Sequence, residues 1–385
     1  MSNYLSTQGV TFWPIGNGDS TTVSINDDVK LQIDLHHMVA AEDEDEDEEY
    51  YPIVDHLVEE LPKNDGKPYL SVFALTHPDK DHIQGFDKLL DEATIGEIWL
   101  TPRIFDDEEL SKEADAFYEE ADRRRKLAIE KNGDLESGDK IRIFGYSSIL
   151  ETDNFKGFPE DLLTLPGESL SLLDGEDLSA EFRAFIHSPF KAEEDDERND
   201  TSLGMQISLG DEGDDLKVLI FGDLKHDSLR KIIDISKANE NEDKLEWNIL
   251  LAPHHCSKSI MYTKDENDKN VFQREMMDDL ASYCLDTGYV VSSSKSIPAS
   301  NKKGDNPPHA IAKERYEEIV STDFLCTHND ESEDAEPIVF EKTEDALILN
   351  GDPVAVDAVK SLSESVNDAR ASGTPPTNTA GFGEL

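Results

Sequence analysis

The stretch SVFALTHPDKDHIQG, residues 71–85, decides which fold this chain adopts. Its first six residues form an apolar run with β-branched and aromatic side chains, and this composition predicts a buried strand. Four side chains with nitrogen or carboxylate donors follow within six residues: His77, Asp79, Asp81 and His82. Imidazole and carboxylate groups bind Zn²⁺, Mn²⁺ or Fe²⁺, and a loop that leaves a strand can direct all four groups to one point. A polar turn that caps the next helix would account for one His, but two His and two Asp at this spacing favour a metal site.

Further strands and helices are predicted on both sides of this stretch. Three short apolar runs before it, separated by turn residues, predict an antiparallel meander over residues 10–16, 21–25 and 30–35. Later runs predict strands at 140–150, 181–187, 203–209, 217–223, 247–253 and 288–294, with strand-like segments near 337–349. Helices are predicted over residues 51–62 and 307–320. Strands mixed with helices in this way are typical of an α/β protein.

Several segments are predicted to lie outside the core. Residues 108–131 have apolar positions spaced as in an amphipathic helix, and we interpret them as an inserted surface helix rather than a lid over the site. The acidic run EDEDEDEE (42–49) is predicted to be a solvated, mobile loop, and the pair His36-His37 to be exposed. Residues 351–385 are rich in Ser, Thr, Pro, Gly and Asn, which predicts a disordered tail after one domain over residues 1–350.

The composition predicts a large core and an acidic surface. Hydrophobic residues make up 37% of the 385 residues, whereas 36 basic and 86 acidic residues give a net charge of −50. Such a chain repels DNA, RNA and anionic membranes at long range, which disfavours a nucleic-acid partner. Basic runs at 123–126 and 302–303 would offset this repulsion locally, but a solvated helix face and a polar loop are the preferred interpretations.

The cysteines and the N-terminus bear on the location of the protein. Cys256, Cys284 and Cys326 form no CxxC pair and are too few for a disulfide framework. The first ten residues, MSNYLSTQGV, contain neither the basic region nor the apolar run of a secretory signal, and the sequence predicts no membrane span. We therefore expect a cytoplasmic protein that does not bind a membrane.

The loop at 77–82 and six further motifs resemble, in order, those of the metallo-β-lactamase superfamily. The superfamily loop has the pattern HxHxDH; this chain has HxDxDH, a variant similar to the metallohydrolase domain of ComEC-type DNA-uptake proteins. The further motifs are GNGDS (16–20), LQID (31–34), NDTSL (199–203), FGD (221–223), PHHCS (253–257), with Cys where Gly is usual, and PPH (307–309), which lacks the first His of the family segment. The resemblance covers most of residues 8–330 and implies a four-layer αββα sandwich.

The resemblance also implies two divalent metal ions, Zn²⁺ or Mn²⁺. The implied ligands form two sets and a bridge: His77, Asp79 and His187 for one ion; Asp81, His82 and His255 for the other; and Asp223 between them. Two cations that share a water lower its pKa and give a bridging hydroxide near neutral pH, which suits phosphodiester hydrolysis. Because Asp79 stands where the superfamily has His, the site is richer in oxygen, which shifts the preference towards Mn²⁺. Zn²⁺ stays an alternative.

Three residues are expected to take part in the chemistry itself: Asp79, Asp81 and His254. Asp79 is a metal ligand that is alternatively a general acid or base beside the metals. We prefer His255 as a ligand and His254 as a residue that supports the ligands or contacts phosphate, although the two could exchange roles. Both follow a strand-like apolar run, where a pair of His is hard to explain as core.

Five more residues are expected around the metals. Asp19 and Asp34 are predicted to orient the ligands through hydrogen bonds, with capping of a turn or strand end as the alternative. Asn199 and Ser202 are predicted to shape a turn near the site. His309 either contacts substrate or begins a helix.

Three functions stay open at this point. The first is a phosphodiesterase or nuclease, a dinuclear metal-dependent hydrolase. The second is a hydrolase of a small ester, a lactone or a phosphocholine-type substrate, since a fold does not fix its substrate. The third is a non-catalytic binding protein on the same scaffold, against which the intact ligand set argues.

Overall fold

The computed structural model of this chain describes residues 4–37, 51–106, 110–191, 198–210, 216–302, 306–328, 335–343 and 346–353. The acidic run at 42–49, and the predicted tail from residue 354 onwards, lie outside the described residues. Within the described part of the chain, no helix is both long enough and apolar enough to cross a membrane.

The described residues place eleven strands in a first β-sheet, numbered here in chain order with all other strands. They are β1 Gly9–Phe12, β2 Thr21–Ser24, β3 Lys30–Ile33, β4 Lys63–Asn64, β5 Lys67–Ala74, β6 Thr94–Leu100, β7 Lys140–Phe144, β8 Leu163–Thr164, β20 Ile338–Lys342, β21 Leu347–Leu349 and β22 Asp352–Pro353. Their order is β22-β21-β20-β1-β2-β3-β5-β6-β7-β8, with β4 beside β5. Pairs from β22 to β3 are antiparallel and pairs from β3 to β8 are parallel. The predicted N-terminal meander is confirmed as β1, β2 and β3.

A second sheet of seven strands is present among the described residues. Its strands are β9 Ser169–Leu170, β12 Phe182–Ser188, β13 Gly204–Leu209, β14 Leu216–Ile220, β15 Trp247–Leu251, β18 Cys284–Ser292 and β19 Asp323–Cys326. Their order is β19-β18-β15-β14-β13-β12-β9, parallel from β19 to β14 and antiparallel from β14 to β9. Two small hairpins complete the set: β10 Leu172–Leu173 with β11 Glu176–Asp177, and β16 Tyr262–Lys264 with β17 Asn270–Phe272.

Helices cover the outer faces of the two sheets. They are α1 Ile53–Glu60, α2 Lys80–Ile83, α3 Phe86–Glu92, α4 Arg103–Asp106, α5 Asp115–Lys131, α6 His226–Ala238, α7 Pro253–Cys256, α8 Arg274–Ser282 and α9 Ala310–Glu317. Phe73 of the first sheet contacts Phe86 of α3 and Phe117 of α5. On the second sheet, Leu219 belongs to one apolar cluster with Tyr316 of α9 and with residues of α6 and α8.

The inner faces of the sheets form the central core. Side chains alternate along a strand, so Phe73 faces the helices while its neighbours Val72 and Ala74 are buried on the opposite face. Tyr289 of β18 and Phe340 of β20 join the two sheets, with ring centroids 5.1 Å apart. The result is four layers, helix–sheet–sheet–helix, which confirms the αββα sandwich expected from the sequence.

Two of the elements that differ from the sequence prediction are strands of the first sheet. The run at 140–150 gives the shorter strand β7, because Gly145 follows Phe144 and residues 147–151 form a 3₁₀ turn. Strand β6 was not predicted, since Gly96 and Glu97 interrupt its apolar pattern.

Helix α5 occupies the later part of segment 108–131 and packs on the core. Half of its basic run is the solvated face that we expected from the sequence, since Arg123 and Lys126 are exposed, but Arg124 and Arg125 are not. Arg124 is 1% exposed, and its guanidinium group donates to the carbonyl oxygens of Ile95, Gly96 and Lys140. Arg125 is also buried and donates to a backbone carbonyl. These guanidinium groups satisfy backbone acceptors and are not presented to a nucleic acid.

Candidate metal centre

Six of the seven residues predicted to bind metal come together at one edge, where strands of both sheets end. His77 lies beyond the end of β5, Asp223 beyond β14, and His254 and His255 beyond β15. The amide of His254 donates to the carbonyl of Gly222 at 3.0 Å, which joins two of these loops. Crevices at the carboxyl ends of strands are common ligand sites in α/β proteins.

The carboxylate of Asp223 lies in the middle of the cluster, and its two oxygens face different imidazoles. Oδ1 lies 3.3 Å from Nε2 of His82 and 3.5 Å from Nε2 of His255. Oδ2 lies 3.8 Å from Nε2 of His77 and 3.5 Å from Nε2 of His254. A carboxylate between two sets of nitrogen donors has the geometry of a bridging ligand.

Two further carboxylates stand at the mouth of the cluster. Oδ2 of Asp79 lies 3.5 Å from Nε2 of His77, and Oδ2 of Asp81 lies 3.3 Å from Nε2 of His255. The side chains of Asp79 and Asp81 are 26% and 38% exposed, whereas those of His77 and His82 are fully buried. These acidic groups therefore reach the cluster from the solvent side.

Two buried carboxylates stand behind the imidazoles. Oδ2 of Asp34 lies 2.8 Å from Nδ1 of His82, and the same carboxylate accepts hydrogen bonds from the amide and the hydroxyl of Thr76. Oδ1 of Asp19 lies 3.4 Å from Nδ1 of His255. A carboxylate at Nδ1 favours the tautomer in which Nε2 keeps its lone pair. Both imidazoles can therefore present a metal-binding nitrogen to the centre of the cluster.

The backbone at the cluster adopts conformations that most residues avoid. His254, His255 and Cys256 have φ angles of 52°, 51° and 62°. This left-handed conformation costs roughly 1–2 kcal/mol for each residue that carries a Cβ. Gly222 has a φ of 51°, and a Cβ there would lie 3.1 Å from that of Thr76. Strain of this kind concentrates at functional sites, where the surrounding structure enforces it.

The charges inside the cluster influence one another strongly. Burial raises the pKa of Asp223, but His255 and His82 outweigh it and hold the pKa of this carboxyl well below its usual range. Burial lowers the pKa of His82, but Asp34 and Asp223 outweigh it and raise that pKa well above its usual value. The pKa of His255 is raised in the same way, chiefly by Asp223 and against burial. The carboxylates thus create a negative field at these nitrogens, which favours cations.

The donor atoms fit a divalent cation by distance and by chemistry. Two donors on one tetrahedral Zn²⁺ lie about 3.3 Å apart, since each is about 2.0–2.2 Å from the ion. The donor pairs around Asp223 are 3.3–3.8 Å apart. Nε2 of His77, His82 and His255, and Oδ1 of Asp223, are buried and make no hydrogen bond to any described residue. Ligand atoms of Asp19, His82, Asp223 and His255 all lie within 4.8 Å of one another. A set of imidazoles and carboxylates suits Zn²⁺ or Mn²⁺.

His187 is not brought to this cluster, in contrast to its predicted role as a ligand. Its Nε2 donates to the carbonyl of Lys244 at 2.9 Å, and its ring contacts those of Phe185 and Phe221. The pairing of β12 with β13 changes register at this residue, and such an irregularity re-aims a side chain. Burial lowers the pKa of His187 to about 4, so the ring is neutral.

The remaining predicted residues lie beside the cluster. Nδ2 of Asn199 lies 3.4 Å from Oδ2 of Asp223, to which it donates. Ser202 donates to the carbonyl of Asn199 at 2.7 Å and so shapes the turn between them. His309 precedes helix α9, its Nδ1 accepts a hydrogen bond from a backbone amide of loop 254–258, and its own amide donates back to that loop. His309 thus begins a helix and also holds the loop in place.

The sequence indicated neither the role of Thr76 nor the burial of His36 and His37. The hydroxyl of Thr76 lies between Asp34, to which it donates at 2.6 Å, and Nδ1 of His77, which is 3.1 Å away. The sequence feature that could have indicated this role is a residue with a hydroxyl group directly before His77, the first His of the loop at 77–82. His36 and His37, which we expected to be exposed, are buried, and burial lowers the pKa of His36 to about 4.

Comparisons with known proteins add no support of their own. No family model and no curated protein matches this chain. Among solved structures, it is similar to a metallo-β-lactamase superfamily protein from the archaeon Sulfolobus tokodaii (11% identity, TM-score 0.29, 80% of this chain and 93% of that chain). It is also similar to the metallo-β-lactamase GOB-18 from Elizabethkingia meningoseptica (15% identity, TM-score 0.29, 74% of this chain and 92% of that chain). A third similar structure is the metallo-β-lactamase SMB-1 bound to 2-mercaptoethanesulfonate (10% identity, TM-score 0.27, 65% of this chain and 81% of that chain). At these TM-scores, the likeness carries no argument about fold or function.

Proposed function

We propose that this chain is a metal-dependent hydrolase of the metallo-β-lactamase superfamily that cleaves phosphodiesters with a dinuclear centre of Zn²⁺ or Mn²⁺. The observation that carries the proposal is the position of Asp223, whose two carboxylate oxygens face separate pairs of imidazoles. The ordered sequence motifs and the αββα sandwich support the same assignment.

Each group of residues has a distinct task in this proposal. Two divalent cations, when bound, activate water near neutral pH and neutralise charge on the attacking and leaving oxygens of a phosphodiester. A hydrogen bond to Asp34 holds His82 from behind, and Oδ1 of Asp19 lies 3.4 Å from Nδ1 of His255, so Nε2 of both rings faces the centre of the cluster. Asp79 and Asp81 lie at the mouth, where a carboxylate oxygen can accept or return a proton as substrate reacts.

Charge limits the substrate of such a site. The net charge of −50 disfavours a long polyanion, and the guanidinium groups of Arg124 and Arg125 are engaged with backbone carbonyls. We therefore propose a substrate that carries one or a few phosphodiester groups, and we rank nucleic acid below it.

A small ester, a lactone or a phosphocholine-type molecule is the second candidate substrate class. The net charge favours this class over nucleic acid, because a small substrate presents little negative charge. Metal ions bound by the cluster would also stabilise the negative charge that develops on an ester carbonyl oxygen. A non-catalytic binding protein is the third candidate, and it would need no activating metal.

The test is a substrate panel with the metal-loaded protein. Bis-p-nitrophenyl phosphate, single-stranded DNA and a set of lactones are offered at equal concentration with Zn²⁺ or Mn²⁺, beside the variants Asp81→Asn and His82→Ala. We expect turnover of the phosphodiester, little turnover of DNA, and loss of activity in both variants with the fold retained by circular dichroism.

Each other result points to a different conclusion. Turnover of lactones alone would replace the substrate class and keep the hydrolase. Full activity in either variant would show that the proposed site is not the active site. Absence of bound metal by elemental analysis, with stability unchanged by chelator, would favour the binding protein.

A further inference from the structure

The side of the cluster at Oδ2 of Asp223 lacks the imidazole that the family resemblance assigns to it. His77 and Asp79 are present on this side, but His187 is turned away and its Nε2 is engaged by the carbonyl of Lys244. A position for Zn²⁺ ordinarily has at least three protein donors besides a water or substrate. With Oδ2 of Asp223, this side reaches that minimum of three. The other side has one donor more, from Asp81, His82, His255 and Oδ1 of Asp223. A set of equal size would take its fourth donor from the residues near Oδ2.

His254 has the position that such a donor requires. Its Nε2 lies 3.5 Å from Oδ2 of Asp223, which is the separation of two donors on one cation, while Nε2 of His255 lies 3.5 Å from Oδ1. The two rings are nearly perpendicular, at 87°, with centroids 6.0 Å apart. One dipeptide thus directs its two imidazoles to opposite oxygens of a single carboxylate.

The backbone of this dipeptide gives a second, independent reason. His254 and His255 both have left-handed φ angles, and neither is Gly or Asn, the residues that tolerate this conformation best. The conformation is held by the amide of His254, which donates to the carbonyl of Gly222 next to Asp223. Strain maintained by a hydrogen bond to the bridging loop is expected if both side chains must point inwards.

We propose that His254, and not His187, completes the metal position at Oδ2 of Asp223, so that residues 254–255 supply one ligand to each metal ion. This inference rests on the proposed metal-dependent function and specifies its ligand set. One position then has His77, Asp79, His254 and Oδ2 of Asp223. The other has Asp81, His82, His255 and Oδ1. His187 has a packing role in the second sheet.

The test measures bound metal rather than activity. The full chain and the variants His254→Asn, His255→Asn and His187→Asn are stripped with chelator and titrated with Zn²⁺ by calorimetry, and the metal retained after gel filtration is measured by mass spectrometry. Asn is chosen because it tolerates the left-handed conformation. Circular dichroism and thermal unfolding in chelator check that each variant is folded. His254→Gly serves as the replacement if the Asn variant does not fold.

We expect two equivalents of Zn²⁺ for the unmodified chain and for His187→Asn, and one equivalent for His254→Asn. Double variants assign the sides: His82→Asn with His254→Asn should lose both equivalents, whereas His82→Asn with His255→Asn should keep one. If His254→Asn still bound two equivalents of Zn²⁺ with unchanged affinity, the inference would be overturned. A fall in turnover in that variant would then mean that His254 contacts substrate and not metal. Loss of one equivalent in His187→Asn would also overturn the inference. If the unmodified chain bound no metal at all, the proposed function would fail together with the inference.

Discussion

Oδ2 of Asp34 lies 2.8 Å from Nδ1 of His82, on the side of the imidazole that faces away from the centre of the cluster. The carboxylate cannot turn freely, because it also accepts hydrogen bonds from the amide of Thr76 at 2.7 Å and from its hydroxyl at 2.6 Å. The ring of His82 is therefore fixed in orientation and in tautomer by groups that lie just beyond the ends of strands β3 and β5.

The substitution Asp34→Asn should lower metal affinity about 10–100-fold, the usual effect of losing a group that orients a ligand. An amide has one accepting oxygen, so it cannot accept hydrogen bonds both from the backbone amide of Thr76, which donates to Oδ1, and from Nδ1 of His82, which faces Oδ2. In either orientation, the NH₂ group of Asn meets another N–H donor, either the backbone amide of Thr76 or Nδ1 of His82. The His82 tautomer that binds metal is therefore lost. Competition with a chromophoric chelator measures the affinity. Thr76→Ser keeps the hydroxyl and should bind metal as the unmodified chain does; equal affinity in Asp34→Asn would contradict this role for the carboxylate.

The substitution Gly222→Ala should destabilise the fold by about 1–3 kcal/mol and weaken metal binding. The added Cβ would lie 3.1 Å from the Cβ atoms of Ser202 and Thr76, so the loop that carries Asp223 must move. Gly66→Ala is the matched control, since Gly66 also has a positive φ but an added Cβ there meets nothing within 4 Å. Urea unfolding in chelator, followed by a metal titration, separates the two effects. If the two variants lost the same stability and bound metal equally, the close approach at Gly222 would have no consequence.

The substitution Arg124→Met should destabilise the protein by about 2–4 kcal/mol without changing the metal content. It leaves three backbone carbonyls without their buried donor and removes one of the two arginine partners of Glu120. Arg123→Met is the control: its side chain is 47% exposed and its ion pairs with Glu120 and Asp139 lie at the surface, so the loss should stay within about 1 kcal/mol. Urea unfolding of both variants gives the comparison. A larger loss in Arg123→Met would mean that the buried guanidinium group does not anchor helix α5.

Apolar runs alone predicted an α/β protein and most of its long strands, whereas the resemblance to the metallo-β-lactamase superfamily implied the four layers and most of the cluster. Apolar runs marked the strands, and the residues just after β5, β14 and β15 were polar at the same edge of the two sheets. That His77, Asp223 and His255 meet was implied by the resemblance of their motifs to those of the superfamily. Their donor atoms do lie together around one carboxylate, whereas their binding of metal stays a prediction.

The sequence could not predict which way a side chain points when the pairing of strands is irregular. His187 follows an apolar run just as Asp223 does, yet the register change in β12 takes it to Lys244 instead of the cluster. The burial of Arg124 was equally hidden, because charged residues on a helix are usually solvated. Its carbonyl partners in Ile95 and Gly96 belong to a strand that the apolar pattern did not reveal.

The pH dependence of stability should distinguish a buried, neutral His187 from a metal ligand. Burial lowers the pKa of His187 to about 4 from an ordinary value of 6.5. The unfolded chain therefore binds this proton more readily than the folded one between these pH values, and the free energy of unfolding falls as the pH is lowered. His187→Gln can still donate to the carbonyl of Lys244 but does not titrate. Between pH 7.5 and pH 5, the unmodified chain should lose about 2 kcal/mol more stability than this variant.

The measurement is urea unfolding of both proteins across this pH range, with chelator present throughout so that loss of metal cannot contribute. The range ends at pH 5 because the isoelectric point is about 4.3 and a protein near zero net charge associates. All other titrating groups are common to the two chains, so they cancel in the difference between the profiles. Parallel profiles would mean that His187 can take up a proton in the folded state at little cost. The contact with Lys244 would then be too weak to keep this ring away from the metal cluster.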